Sequence, residues 1–175
     1  MEPLPTLPEA SAMPTLLSRF ALAGAEDEVS PARHKVVDCV RAWGVALSDE
    51  VADTIRLVVS ELISNAVIHG AGPVTVVLHH RPGRLVIVVS DRDQQAPVAS
   101  CAAEGDESGR GLALVAHFAV RSGWEPLAHG KRVWAEIELP KPAPAIRAAV
   151  LRRFFAARPR HGAGPALQAL ARTAA

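Results

Sequence analysis

The segment "VVSELISNAVIHG" (Val58–Gly70) decides the fold, because it combines a helical apolar repeat with a regular polar stripe. At about 100° per residue, one face of this helix is apolar. The residues on that face are Ile55, Val59, Leu62, Ile63 and Ala66. Glu61, Asn65 and His69 are spaced four apart and lie on a stripe at the edge of the apolar face. The pattern predicts an amphipathic helix with polar groups beside the core.

The polar stripe has two explanations. A solvated face is the ordinary one, since glutamate is common on helix surfaces. Asparagine is less expected inside a helix, because its side chain competes for backbone hydrogen bonds. Glu61 and Asn65 can instead form a site in which the amide oxygen binds Mg²⁺ and the carboxylate accepts a proton. His69 either lies near a ligand bound at such a site or simply ends the helix. Its position in the last turn of the helix favours the second role.

Helix signals also precede this segment. Ser30-Pro31 and Gly44 frame a helix from Pro31 to about Trp43, with a buried face formed by valines. The valines of that face are Val36, Val37 and Val40. Ser48 provides the N-cap of the second helix, which ends at His69-Gly70. A first strand is predicted from Arg19 to Gly24.

The hydrophobic period changes after Pro73. The runs "VTVVLHH" and "RLVIVVSD", joined by "RPG", predict a hairpin, and a polar stretch from Arg92 to Ser108 follows. A helix in "GRGLALVAHF" and two strands in "AVRSGWEP" and "KRVWAEIELP" complete the domain. This order predicts an α+β fold, a two-layer α/β sandwich with helices packed on one face of a mixed sheet.

Length and composition predict one domain with tails, since 175 residues with 49% hydrophobic content fill a single core. We expect a flexible N-terminal segment at 1–18, the folded domain at 19–140 and a basic Ala/Pro/Arg-rich tail at 141–175. A short helix from Ile146 to Arg160 within that tail and a solvated appendix are equally compatible with its sequence. Cys39 and Cys101 lack metal-ligand spacing and are expected to be thiols.

Charge is divided unevenly along the chain. The tail holds seven of the 19 Lys and Arg residues and no acid, which leaves 12 basic residues against 18 acids, or −6, in the rest. An acidic body disfavours direct binding of nucleic acid. No apolar run approaches the roughly 18 residues of a membrane span, and the N-terminus does not resemble a signal peptide. We therefore expect a cytoplasmic protein.

Two further stretches provide groups that a nucleotide needs. Asp91 ends an apolar strand, where a carboxylate can accept a hydrogen bond from an exocyclic amine such as adenine N6, or can simply open a turn. "SGRGLALV" (Ser108–Val115) places Gly109 and Gly111 just before a helix, where backbone N–H groups can bind phosphate, although a lone G-x-G also occurs in ordinary turns. A metal site formed by the three histidines at positions 69, 79 and 80 is weaker, because adjacent strand residues point to opposite faces.

Together these motifs resemble the GHKL ATPase fold of Bergerat type. "ELISNAVIHG" is similar to its N box, "VSD" with Pro97 to its G1 box, "SGRGLALV" to its G2 box and "GKRVWAEIELP" to its final strand. The likeness covers about Arg19 to Pro140 and is greatest to the anti-sigma-factor serine/threonine kinase branch. The residues before the domain do not resemble a phosphoacceptor hairpin, so we expect the chain not to belong to the histidine-kinase branch.

The resemblance implies a role for each motif. Glu61 would be the general base, Asn65 would bind Mg²⁺ and Asp91 would read adenine. The G2 residues Gly109, Arg110, Gly111 and Leu112 would contact the phosphates of ATP. The implied partners are an anti-anti-sigma (STAS-type) protein as substrate, a sigma factor, and a second copy of the chain in a homodimer. The alternative function is a non-catalytic regulator that sequesters a partner and binds nucleotide weakly or structurally.

Two departures from the family pattern concern the base-binding region. The G1 box of the family continues Asp-x-Gly-x-Gly, whereas this chain has "DRDQQAP", with Asp93 in place of the first glycine. Arg132 is expected to occupy the position where the family often has a small hydroxyl residue that assists the adenine-reading aspartate. Both departures are expected to affect nucleotide affinity rather than phosphoryl transfer.

Overall fold

A computed structural model describes residues 16–70, 72–97 and 111–140. The expected N-terminal segment, apart from residues 16–18, lies outside the described residues, as do Cys101, Gly109 and Arg110. The basic tail and its candidate helix lie outside them as well. The expected division of the chain at residues 18 and 140 therefore stays a prediction.

The described elements follow the predicted order of one strand, two helices, a hairpin, a helix and a second hairpin. They are β1 (Leu16–Leu22), a 3₁₀ turn (Glu26–Glu28), α1 (Val29–Ala42), α2 (Asp49–His69), β2 (Val74–Arg81), β3 (Arg84–Asp91), α3 (Gly111–Phe118), β4 (Arg121–Leu127) and β5 (Gly130–Glu138). β1 begins at Leu16, three residues before the expected Arg19, and so includes residues that were assigned to the N-terminal segment.

The starts of the two long helices differ in how well the sequence predicts them. Ser48 caps α2 as predicted, since its Oγ accepts a hydrogen bond from the N–H of Val51 at 3.3 Å. Ser30 does not cap α1, because that helix already begins at Val29. The Glu28 carboxylate instead accepts hydrogen bonds from the N–H groups of residues 23, 24 and 25, which orders the turn before α1.

The sheet has the strand order β1-β2-β3-β5-β4. Every pairing between the described strands is antiparallel, so the expected mixture of parallel and antiparallel pairs was wrong for this part of the chain. Two helices separate β1 from β2 and return the chain to the same end of the sheet, which makes this pair antiparallel. β3 and β4 run in the same direction, but β5 lies between them and pairs with both.

The main core lies between the helices and one face of the sheet, as the two-layer sandwich predicts. All five predicted apolar residues of α2 and all three valines of α1 are buried in it. A smaller cluster of Val86, Val88 and Trp134 is buried on the opposite face of the sheet. None of the described helices combines the length and the apolar character that a membrane span requires.

Two glycines with positive φ allow a matched test of the fold. Gly44 has φ +82° and open space around it, so Gly44→Ala should lower the free energy of unfolding by about 1–2 kcal/mol through backbone strain alone. Gly130 has φ +141°, and a Cβ there would overlap the carbonyl of Asp91. We predict that Gly130→Ala destabilises the protein more than Gly44→Ala in urea unfolding. Equal losses would contradict the close approach of β5 to Asp91.

Candidate functional site

Glu61 of α2 lies against Gly111, the first residue of α3. A Cβ at Gly111 would overlap the Oε2 atom of Glu61 and lie 3.3 Å from its Cδ, so a larger residue here would displace the Glu61 carboxylate. Glu61 itself is half-buried. The structure therefore brings the predicted general base together with the one described glycine of the G2 box, while Leu112 follows as the second residue of α3 and packs against the core.

Asn65 lies one turn further along α2 and is also half-buried. Its Nδ2 atom is inaccessible to solvent and has no hydrogen-bond partner in the part of the chain that the structure describes. A buried amide without a partner costs free energy, so a fully solvated polar stripe does not account for this residue. His69 is exposed and ends the helix, as expected.

The far end of α2 contacts Asp91. A Cβ at Gly70, the residue after the helix, would lie 2.8 Å from the Cβ of Asp91. Asp91 is the last residue of β3, and its side chain is 1% exposed. Gly70 follows Glu61 by nine positions, a span of about 14 Å along the helix axis. α2 thus sets the distance between the candidate catalytic end and the candidate base-binding end.

Lys131, which the sequence interpretation overlooked, occupies the position beside Asp91. The two residues are paired in register between β3 and β5, and Lys131 Nζ lies 3.2 Å from Asp91 Oδ1. Arg132 was expected here, and this expectation was wrong. Its guanidinium forms an ion pair with Glu125 at 2.6 Å, because consecutive strand residues point to opposite faces of the sheet.

The alternation of β5 contains the signal that assigns Lys131 to the site. Val133, Ala135 and Ile137 are the buried apolar residues of the strand on the side of the helices. Counting back in steps of two from Val133 reaches Lys131 and not Arg132. The residue is 1% exposed, which is rare for lysine unless its charge is paired.

Asp93 completes a group of three charges with Lys131 and Asp91. Its Oδ2 lies 2.8 Å from Lys131 Nζ, and its backbone N–H donates to Asp91 Oδ1 at 2.8 Å. The hydrogen bond from Lys131 and a second one from the N–H of Gln95 lower the pKa of Asp93 below its ordinary value. The Asp93 carboxylate is therefore ionised at neutral pH, and its contribution to stability is lost only as the pH falls through this lowered pKa.

One oxygen of Asp91 remains without a partner. Oδ1 accepts from the Asp93 N–H and forms an ion pair with Lys131, whereas the buried Oδ2 accepts from no group among the described residues. Two carboxylates and one ammonium leave a net charge of −1 at this position. A buried carboxylate oxygen in this state is suited to a ligand that donates a hydrogen bond.

The histidines do not form a metal site in the described structure. Within residues 16–70, 72–97 and 111–140, no three or more His, Cys, Asp or Glu side chains are grouped closely enough to bind a metal ion. His80 stacks on Trp43 at 5.7 Å between ring centroids. His79 pairs in register with Val86 and shares its face of the sheet, which is the face away from the helices. The side chains of His79 and His80 therefore lie on opposite faces.

Comparison with known protein families matches residues 22–136 to the histidine kinase-like ATPase domain. The chain belongs to this family. The matched region covers more than half of the chain and contains the site from Glu61 to Lys131. A search among curated proteins found no match. The ATPase-domain assignment and the α+β sandwich agree with the resemblance that the motifs carry, at the level of the GHKL fold.

The ATPase domain offers a direct test of the buried charges. Lys131→Met leaves Asp91 buried without its cation, so we expect a loss of about 3–5 kcal/mol in the free energy of unfolding. Arg132→Met removes a pair whose side chains are 34% and 32% exposed, and should cost at most about 1 kcal/mol. Urea unfolding of both variants measures the difference. Similar losses for the two neighbours would contradict the assignment of Lys131 to Asp91.

Proposed function

We propose that this ATPase domain binds Mg-ATP along α2. The chemistry of these side chains fits the nucleotide: Asp91 Oδ2 is a buried acceptor for the adenine amine. An amide oxygen such as that of Asn65 suits a hard cation. Gly111 begins α3, where backbone N–H groups favour phosphate. Gly109 and Arg110 are proposed as further phosphate contacts on the basis of the resemblance alone.

The contact between Glu61 and Gly111 is the observation that carries the catalytic proposal. It holds a carboxylate beside the proposed phosphate-binding helix end, where the hydroxyl group of a protein substrate would approach. Glu61 would accept the proton of a serine or threonine hydroxyl. The oxygen of that hydroxyl would form a bond to the γ-phosphorus while the bond from phosphorus to the bridging oxygen of ADP breaks. Asn65 would hold Mg²⁺, which neutralises charge on the phosphates when bound.

The proposed role is regulation of transcription by protein phosphorylation. The substrate would be a small anti-anti-sigma protein of STAS type, and the second partner would be a sigma factor, as the resemblance implies. A homodimer is also proposed. β1 lies at the edge of the described sheet and exposes 60% of Leu17, which leaves a strand edge and an apolar side chain for a second copy.

A partner-sequestering module is the second candidate, and the burial of Asp91 favours it. The carboxylate is 1% exposed, so a base reaches it only when neighbouring groups move. Lys131 also places a cation beside the acceptor that would bind the amine. In this function the three charges stabilise the fold, and nucleotide binds weakly or not at all.

Calorimetry with Mg-ATP separates the base-binding residue from the catalytic one. Asp91→Ala removes a hydrogen bond to a charged acceptor and should weaken binding by about 1.5–3 kcal/mol. Glu61→Ala should leave the affinity nearly unchanged, because Glu61 is proposed to act on the substrate hydroxyl. Circular dichroism checks that both variants fold. Absence of binding to the wild type, or equal losses in both variants, would contradict the proposed site.

Phosphate transfer tests the kinase against the sequestering module. Glu61→Gln keeps the size of the side chain but cannot accept the proton, so transfer from radiolabelled ATP to a bound partner should fall by ~10²–10⁴. ATP affinity and partner binding should change little. Asn65→Ala should weaken both ATP binding and transfer. If the wild type transfers no more label than Glu61→Gln, the domain is a binding module.

A further inference from the structure

The residues that depart from the family pattern contact each other. Asp93 replaces a glycine of the G1 box, and Lys131, rather than Arg132, stands beside the base-binding aspartate. Their side chains form an ion pair at 2.8 Å. The two departures are therefore parts of a single arrangement around Asp91, although they are 38 positions apart in the chain.

Lys131 is held by Asp93 and Asp91. Its ammonium donates to Asp93 Oδ2 at 2.8 Å and to the Asp93 carbonyl at 3.5 Å, and it forms an ion pair with Asp91 Oδ1 at 3.2 Å. An ammonium held in this way acts on a ligand through the groups that it contacts. Lys131 is therefore a positioning residue.

Asp93 supports Asp91 from two sides. Its backbone N–H donates to Asp91 Oδ1, and its carboxylate keeps Lys131 from turning fully onto Asp91. As a result Oδ1 has one hydrogen bond and one ion pair, and Oδ2 has no hydrogen-bond partner in residues 16–70, 72–97 and 111–140. Gly130 and Gly70 pack against the backbone and the Cβ of Asp91, which further restricts the side chain.

We propose that Asp93 and Lys131 form a positioning pair that makes Asp91 present a single acceptor, Oδ2, and thereby selects purines with a 6-amino group over purines with a 6-oxo group. The proposal rests on the proposed nucleotide site. A 6-amino group donates to Oδ2, whereas a 6-oxo group brings a second acceptor against it. Lys131 cannot compensate by donating to the 6-oxygen, because Asp93 holds it.

The two nucleotides ATP and ITP measure this selection, since they differ at position 6 of the purine. Wild-type protein should bind ATP at least about 10-fold more tightly than ITP, the effect of one hydrogen bond to a charged group. In Asp93→Gly, Lys131 is free to turn toward Oδ2 or toward a 6-oxygen. We expect weaker ATP binding and unchanged or stronger ITP binding, so that the ratio of ATP affinity to ITP affinity falls about 10-fold. If the role of Asp93 is purely structural, Asp93→Gly should weaken the binding of both nucleotides equally.

The double variant Asp93→Gly/Lys131→Thr supplies the rescue. It introduces a glycine and a small hydroxyl residue of the kind that the family pattern has, and removes both charges together. Its preference for ATP should return toward the wild-type value, above that of either single variant. Arg132→Thr, which alters the neighbouring residue on the other face of the sheet, is the matched control and should leave the ratio unchanged.

Thermal unfolding of the same variants without nucleotide tests the pair independently of binding. Lys131→Thr should melt lowest, and adding Asp93→Gly should raise its melting temperature, because one of two unpaired carboxylates is then removed. Two results would overturn the positioning pair and leave the proposed function standing. One is that the shifts in melting temperature are additive. The other is that the protein binds ATP but neither single variant alters the ratio of ATP affinity to ITP affinity. A wild type that binds neither nucleotide, with non-additive melting, would overturn the proposed function and base selection while supporting the charge pairing.

Discussion

The buried ammonium of Lys131 is the interaction on which the candidate site depends. Two carboxylates, Asp91 and Asp93, lie within 3.2 Å of it, and a buried carboxylate without a cation would be strongly destabilising. The pairing of β3 with β5 brings Lys131 opposite Asp91, and Gly130 lets the two strands approach at this point. Sheet register therefore determines the electrostatics of the site.

α2 connects this charged end to the other half of the site. Its apolar face is fixed in the core, so the polar residues at the edge of that face have defined positions. Glu61 packs against the first residue of α3, while the residue after the helix contacts Asp91. One rigid helix thus sets the spacing between the proposed catalytic carboxylate and the proposed base-binding carboxylate. Positioning of this kind is what phosphoryl transfer requires, since little of its catalysis is covalent.

Much of this arrangement is predictable from local patterns. The apolar repeat of α2, the cap at Ser48 and the hairpin of β2 and β3 follow from periodicity and turn residues, and the structure has all three. The contact of Glu61 with Gly111 joins elements 50 positions apart, and no local pattern specifies it. The sequence interpretation chose Arg132 over Lys131 because it aligned a motif without following the alternation of β5, and a shift of one residue reverses the face of a strand.

The pairing of Asp93 with Lys131 changes the meaning of the departures from the family pattern. Separately, each departure places an unexpected charge near the proposed site of the adenine base. Together with Asp91 they leave a formal net charge of −1 and one carboxylate oxygen without a partner among the described residues, which suits a hydrogen-bond donor on a nucleotide base. The loss of the small residues at these positions is thus compatible with a working nucleotide site.

A crystal structure of the domain with Mg²⁺ and a non-hydrolysable ATP analogue tests the central claim most directly. We predict that the 6-amino nitrogen lies within about 3.2 Å of Asp91 Oδ2. Lys131 should still contact Oδ1 and Asp93, and the phosphates should lie near Gly111. A base bound away from Asp91, or a Lys131 ammonium that leaves Asp93 to contact the nucleotide, would contradict the account.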